Sequence, residues 1–511
     1  MRRRDSLLWF ARHELRLSWR DTLSVMTAGR RGREKNVAIG VVVFLGILHF
    51  VAWCALGRAG AAAVTGDLST RIAVTVGIGL ALSAMLSQAM ESVTRTFYSR
   101  SDLELILSSP ARANRLFAVR LGAIALSVSA MSLLLMGPFI NVLIFEGGVK
   151  WFGAYGVIVA VAFTATAVGA MLTVALFHLI GPKKTRLAAQ VAAAIIGGVF
   201  VIGLQLAALF STGTMSRAAV LKSRFVVAHA PALDSAWWLP ARAALGDGSA
   251  LRQVLLASAL LLLAAIFVFA PRFGGYSVAA SGVAQQRKQT KVARGFKVQP
   301  TQIALRHKEL LLLIRDPWLI SQSLMQILYL LPPAALLCRS FSAQGSARLV
   351  LVPVLIMAAG QLAGGLAWLT ISGEDAPDLV ETAPVSRAQL WRAKIEAVLE
   401  CVAVVFAPFL LGLLFLAPEL AMIAALGITA SAASAAAIQF WFRAQAKRSQ
   451  FRRRHTSSRI ATFSEAFSSI TWAAAGAIAA AGSWLASIVA LIALAIVAGT
   501  RMLSPSRAKL A

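Results

Sequence analysis

Residues 37–56 read VAIGVVVFLGILHFVAWCAL, twenty consecutive positions without a charged side chain. A helix of that length is about 30 Å long, the thickness of the hydrocarbon core of a bilayer. Similar runs recur along the chain, among them LLLLAAIFVF at 260–269 and IVALIALAIVAG at 488–499. Only 14% of the 511 residues are charged, against about 25% in a soluble chain, and mean hydropathy is +0.74. Backbone N–H and C=O groups in lipid must bond within their own segment, so runs of this kind fold as helices. The fold class expected is an all-α polytopic membrane protein.

Hydropathy predicts about twelve segments. They lie at 37–57, 72–92, 116–137, 151–180, 187–210 and 252–271, then at 318–338, 348–371, 391–417, 420–442, 461–481 and 484–500. The first twenty residues carry charges throughout and precede any apolar run, which does not read as a secretory signal. With the N-terminus placed in the cytoplasm, 40 of the 50 Lys and Arg fall on the cytoplasmic side. The positive-inside rule then puts both termini in the cytoplasm. The same distribution accounts for the net charge of +29. That charge tracks topology, and a nucleic-acid partner is not expected.

The densest basic run, RAQAKRSQFRRRHTSSR at 443–459, reads as a cytoplasmic loop that fixes topology. The polar stretch QQRKQTKVARGFK at 285–297 reads as a flexible linker. It divides the chain into a first six-helix half, 1–284, a basic cytoplasmic linker, 285–300, and a second six-helix half, 301–511.

The two halves repeat. ELRLSWRD at 14–21 aligns with ELLLLIRD at 309–316, and both stand just before the first apolar segment of their half. Glu14, Arg20 and Asp21 match Glu309, Arg315 and Asp316. ELILSSPARANRLFAVR at 104–120 aligns with DLVETAPVSRAQLWRAK at 378–394, between the second and third segments. Two matches in the same order and at the same topological places mark an internal repeat. Six crossings per half give both halves the same orientation, a parallel repeat.

The first stretch of each pair reads as an interfacial helix. Leu8, Ala11, Leu15 and Trp19 share one face, with Arg12, Arg16 and Arg20 in a row beside it. That pattern suits a helix lying among lipid headgroups, so membrane lipid is an expected partner. In the second stretch of each pair, Pro110 and Pro384 mark a corner before the third segment. Ser386 and Gln389 fit a capping box there. Glu104 and Asp378 fall on the short cytoplasmic helix, and Arg120 and Lys394 mark the water boundary.

Together these features resemble the membrane subunits of type-two ABC transporters, the exporter-like permeases. LILSSPARANRLFAVR and LVETAPVSRAQLWRAK both match that family's run of Leu, Ser-Pro or Ala-Pro, a few polar residues, then Leu, an aromatic and a base. Nearly the whole chain is covered, as two fused halves. The resemblance implies that Glu104, Leu105 and Pro110, with Asp378, Leu379 and Pro384, form coupling helices that dock on ABC ATPase subunits. The second copy departs from the first at Glu381 and Thr382, which leaves the equivalence of the two halves open.

This chain carries no phosphate-binding loop. Gly181-Pro-Lys-Lys-Thr lacks the upstream Gly and the loop spacing that such a loop needs. The chain is therefore expected to be no enzyme and to hold no cofactor, with ATP and Mg bound by a separate ATPase. Cys54, Cys338 and Cys401 read as small thiols beside apolar segments, with no metal-ligand spacing. Glu91, Glu396, Glu400 and Glu465 lie near cytoplasmic segment ends, within reach of water. His49 is expected to make an interhelical hydrogen bond, and Trp237 and Trp238 to anchor an interface. The function expected is the permease component of an ATP-driven exporter in a bacterial-type cytoplasmic membrane. The rivals are a twelve-helix secondary transporter of major-facilitator type and a non-transporting membrane scaffold.

Overall fold

A computed structural model describes residues 9–17, 20, 34–56, 68–98, 113–212, 230–232, 234–272, 275, 299–315, 324, 328, 347–372, 374, 380, 382–442 and 459–502. All secondary structure among them is helical, and eight helices are long and apolar enough to cross a membrane. The chain divides into two compact units, Met1–Lys291 and Val292–Ala511.

The first unit opens with a helix over residues 9–17 (α1). Then come α2 (Glu34–Leu56), α3 (Leu68–Tyr98) and α4 (Ala113–Gly147). A short 3-10 turn, Val149–Phe152, reverses the chain into α5 (Gly153–Thr212). Inside α5, Gly181 takes φ 75° and ψ 165°, which separates the segments expected at 151–180 and 187–210. Positive φ suits glycine, and Pro182 just after it is preset for the first turn of the continuing helix. The sequence Gly181-Pro-Lys-Lys-Thr is thus a helix break.

Unit 1 packs around α3, α4 and α5, where Ala89, Leu121, Ala125, Ala162 and Ala167 are buried. Small residues let these helices approach closely. His49 on α2 lies 3.1 Å from the Asn141 amide on α4, the interhelical bond expected of it. Tyr155 on α5 donates to Asn141 Oδ1 and extends that link to a third helix.

A small cap closes this unit after α5. It comprises the turn Ala236–Trp238, α6 (Leu239–Ala244) and the start of α7 (Gly248–Phe269). Asp247 caps α7 by accepting from the Ser249 and Ala250 amides, and Arg242 bonds the same carboxylate at 2.6 Å. The Ser249 hydroxyl, which also donates to Asp247 Oδ1 at 2.6 Å, then the Ala250 amide and Arg242, hold the Asp247 carboxyl well below the usual range. Gly246, at φ 102°, supplies the turn that brings Asp247 into place. Trp238 departs from the expected interface anchor: it is buried, its indole donating to Ala232 O at 3.0 Å, while Trp237 beside it is exposed.

The second unit contains α8 (Thr301–Arg315), α9 (Ala347–Ser372), α10 (Arg387–Leu416), α11 (Pro418–Phe442), α12 (Arg459–Ala480) and α13 (Leu485–Met502). Its core forms around α9. Leu351, Leu355, Ile356 and Trp368 of that helix are buried with Phe406 and Leu413 of α10 and Ile438 of α11. Gly427 and Gly476 face Ile356, leaving room where a Cβ would collide with its side chain. The segment expected at 318–338, with Cys338, lies outside the described residues apart from positions 324 and 328. Cys54 and Cys401 are free thiols.

Candidate functional site

Each unit places the helix of its first repeated stretch against the helix that follows the Pro-containing stretch. In unit 2, α8 packs on the start of α10. Ser386 begins α10 with the expected capping box: its hydroxyl accepts from the Gln389 amide at 3.3 Å, and Gln389 Oε1 accepts from the Ser386 amide at 3.2 Å. Pro384 lies exposed in the bend just before it. The cap fixes where α10 starts, and so the height at which Lys394 emerges two turns later.

Lys394 turns inward. Its ammonium donates to Glu309 Oε2 at 3.0 Å and to the Thr370 carbonyl at 2.6 Å. Glu309 is only 1% exposed. Lys308 approaches the other oxygen of Glu309 at 3.3 Å and also bonds Glu374, just past the end of α9. Burial opposes the Lys308 ammonium, but its bonds to Glu374 and the nearby carboxylates outweigh that and raise its pKa. The four charged side chains tie α8, α9 and α10 together at one point. Lower pairs extend the clamp along α10. Gln302 donates to Glu396 at 3.2 Å, Arg392 bonds Glu396 at 2.8 Å, and Arg306 lies 3.6 Å from Glu400.

Unit 1 contains the equivalent pair. Arg120 on α4 lies 3.9 Å from Glu14 on α1, and Arg120 is 9% exposed. Glu14 and Glu309 are matched positions of the first repeated stretch, and Arg120 and Lys394 are matched positions of the second. In both units, then, one conserved-in-repeat acid meets the base that ends the other motif. The unit 1 pair is longer and more exposed, and no second acid joins it among the described residues.

Of the other residues expected at this site, Arg20 is helical and exposed, and Arg315 ends α8. Glu104, Leu105, Pro110, Asp378 and Leu379 lie outside the described residues, as do Asp21 and Asp316. Sequence reasoning missed Lys308, Glu374 and Thr370. The signal for Lys308 was its place beside the repeated Glu309, and for Glu374 an acid four residues before Asp378.

One acid departs from expectation. Glu91 pairs with Arg95 near the end of α3, and Glu396 and Glu400 are partly exposed, as segment ends allow. Glu465, however, is buried at 6% exposure and accepts from the Gln439 amide on α11. Gly364 on α9 makes the space, since a Cβ there would overlap the Glu465 carboxylate. Among the described residues no three His, Cys, Asp or Glu side chains form a metal-binding group.

The all-helical architecture and its eight long apolar helices define a multi-pass membrane protein. No protein-family model, curated protein or solved structure matches the chain.

Proposed function

We propose that the chain is the permease component of an ATP-driven exporter of the type-two ABC class, working with a separate ATPase subunit. The observation that carries this reading is the paired junction. In each unit the interfacial helix is tied by an ion pair to the helix that continues the cytoplasmic Pro-containing stretch. A force applied to that stretch by an ATPase is then delivered to a membrane helix and to an interfacial helix together. In unit 2 the pair is buried and hydrogen-bonded, a stiff connection because separating charges in a poorly solvating site is costly. The stretches at 104–110 and 378–384 are the docking knobs in this reading, ATP and Mg reside on the partner, and both termini face the cytoplasm of a bacterial-type membrane.

Reconstituted vesicles test it. The chain alone should hydrolyse no ATP, and transport should require both an added ATPase subunit and ATP. One observation favours a secondary transporter instead: Glu465 is a buried acid inside an apolar bundle, the kind of residue that ion-coupled carriers use. Transport driven by a proton gradient without any ATPase, and lost in Glu465→Gln, would decide for that reading.

A further inference from the structure

The two interfacial helices differ in where their counter-charges come from. In α8 the polar side chains are answered within the chain, Gln302 by Glu396, Arg306 by Glu400, Lys308 by Glu374 and Glu309 by Lys394. Carried through the two repeats, the first three of those pairs become Leu7 with Gly122, Ala11 with Leu126, and His13 with Arg100. Only Glu14 with Arg120 survives. The acids that clamp the second helix are therefore absent from the first.

The first helix instead carries bases of its own. Arg12, Arg16 and Arg20 recur every four residues, all are exposed, and none makes an ion pair with a described residue. Their counterparts in α8 are His307, Leu311 and Arg315, so the row is special to the first copy. Trp9, Leu15 and Leu17 are exposed on the same helix, and Trp9 stacks on His13 at 5.3 Å between ring centroids. Arginines beside partly exposed Trp and Leu side chains suit a charged, half-apolar layer, where the apolar groups sink among acyl chains and the guanidinium groups stay with phosphates. An acidic protein surface answers the charges but not the exposed apolar side chains beside them.

We propose that the Arg12–Arg16–Arg20 row binds the headgroups of anionic phospholipids, so that the first interfacial helix is anchored by lipid and the second by its own chain. This goes beyond the exporter reading and stands without it. Each base near an anionic surface contributes about 1 kcal/mol, roughly fivefold, so three give up to about 100-fold.

The full chain in nanodiscs provides the test, with hydrogen–deuterium exchange read at residues 9–20 and 301–315. Replacing part of the phosphatidylcholine by phosphatidylglycerol should slow exchange in 9–20 by tenfold to about 100-fold, by mass action on the folded helix. Exchange in 301–315 should not change. High salt should reverse the slowing, because it screens exposed charges. The triple variant Arg12→Gln, Arg16→Gln, Arg20→Gln should lose the lipid response while 301–315 exchanges as in the wild type, which also shows that the variant is folded. Exchange in 9–20 that ignores phosphatidylglycerol overturns the proposal. So does an equal response in both helices. Slowing of 9–20 only when an ATPase subunit is added would assign the row to an acidic protein surface instead.

Discussion

Glu309 and Lys394 meet at 3.0 Å across α8 and α10, with Glu309 almost wholly buried and the Thr370 carbonyl completing the ammonium's shell. Glu14 and Arg120, at the matched positions of the other unit, stand at 3.9 Å. One contact is thus built twice from the same two motifs, at different strengths. That difference is measurable.

Removing Lys394 leaves the buried Glu309 with Lys308 alone, 3.3 Å from its other oxygen. Lys394→Met should lower stability by up to about 3–5 kcal/mol, the usual cost of breaking a buried pair. Glu14→Gln, at the more exposed pair, should cost about 1 kcal/mol or less. The double change Glu309→Met with Lys394→Met should recover much of the loss of the single one. Denaturant or thermal unfolding of the purified chain in detergent measures all three. Equal costs at Lys394 and Glu14 would mean that the depth of the second pair has no energetic consequence.

Lys308 gives the junction an alkaline limit. Its folded pKa lies above the unfolded one, so its contribution is complete below the unfolded lysine value, about 10.4. It is lost as pH rises through the folded value, because the unfolded chain then binds fewer protons than the folded one. The wild type should lose thermal stability more steeply than Lys308→Gln above about pH 10.4. Parallel pH profiles would remove Lys308 from the junction's energetics.

The Asp247 cap has an acid limit instead. Asp247 has a lowered pKa, so its stabilisation is complete above the unfolded aspartate value, about 3.9, and disappears as pH falls through the folded value. Amide exchange at Ser249 and Ala250 should accelerate as the wild type is acidified below that value. Asp247→Asn should exchange faster at neutral pH and show no such acid step, since it accepts the cap bonds more weakly and does not pair with Arg242.

The apolar helices were legible in the sequence because a long uncharged run is itself the signal. Eleven of the twelve expected segments coincide with described helices, and the capping box at Ser386 sits where its spacing puts it. The sequence did not reveal the pairing of Glu309 with Lys394, because that depends on how α8 crosses the start of α10, a tertiary relation with no local signature. Glu465 was misjudged for a related reason. Distance from a segment end measures depth, but burial depends on what covers the side chain, and here a glycine on another helix admits it. Trp237 and Trp238 differ likewise, one exposed and one buried although they are neighbours in a single 3-10 turn.

Gly364 and Gly360 should therefore be intolerant positions. A Cβ at Gly364 collides with the Glu465 carboxylate, and one at Gly360 collides with the Ser431 and Ser469 hydroxyls. Gly364→Ala and Gly360→Ala should each cost about 1–3 kcal/mol through overpacking. Gly79→Ala on α3, where nothing lies within 4 Å of the new atom, should stabilise slightly or do nothing, as alanine favours helix. Unfolding midpoints of the three variants give the comparison. A tolerated Gly364→Ala would show that Glu465 has another rotamer with room to spare.

The docking reading rests on Glu104 and Asp378. Both open the repeated stretches, six residues before the Pro of each. If an ATPase cleft receives these stretches, their acids meet its surface and the helices behind them do not. Charge reversal at a desolvated contact costs several kcal/mol of association, enough to lower the population of the complex by more than a hundredfold. Glu104→Lys combined with Asp378→Lys should leave the chain inserted and the Glu309–Lys394 junction intact, which the unfolding midpoint checks. It should abolish co-purification with the ATPase. Each single change should weaken the complex, and unequally, because Glu381 and Thr382 already distinguish the second stretch from the first. Wild-type recovery of the ATPase by the double variant, at equal expression, would show that these stretches repeat for topology alone.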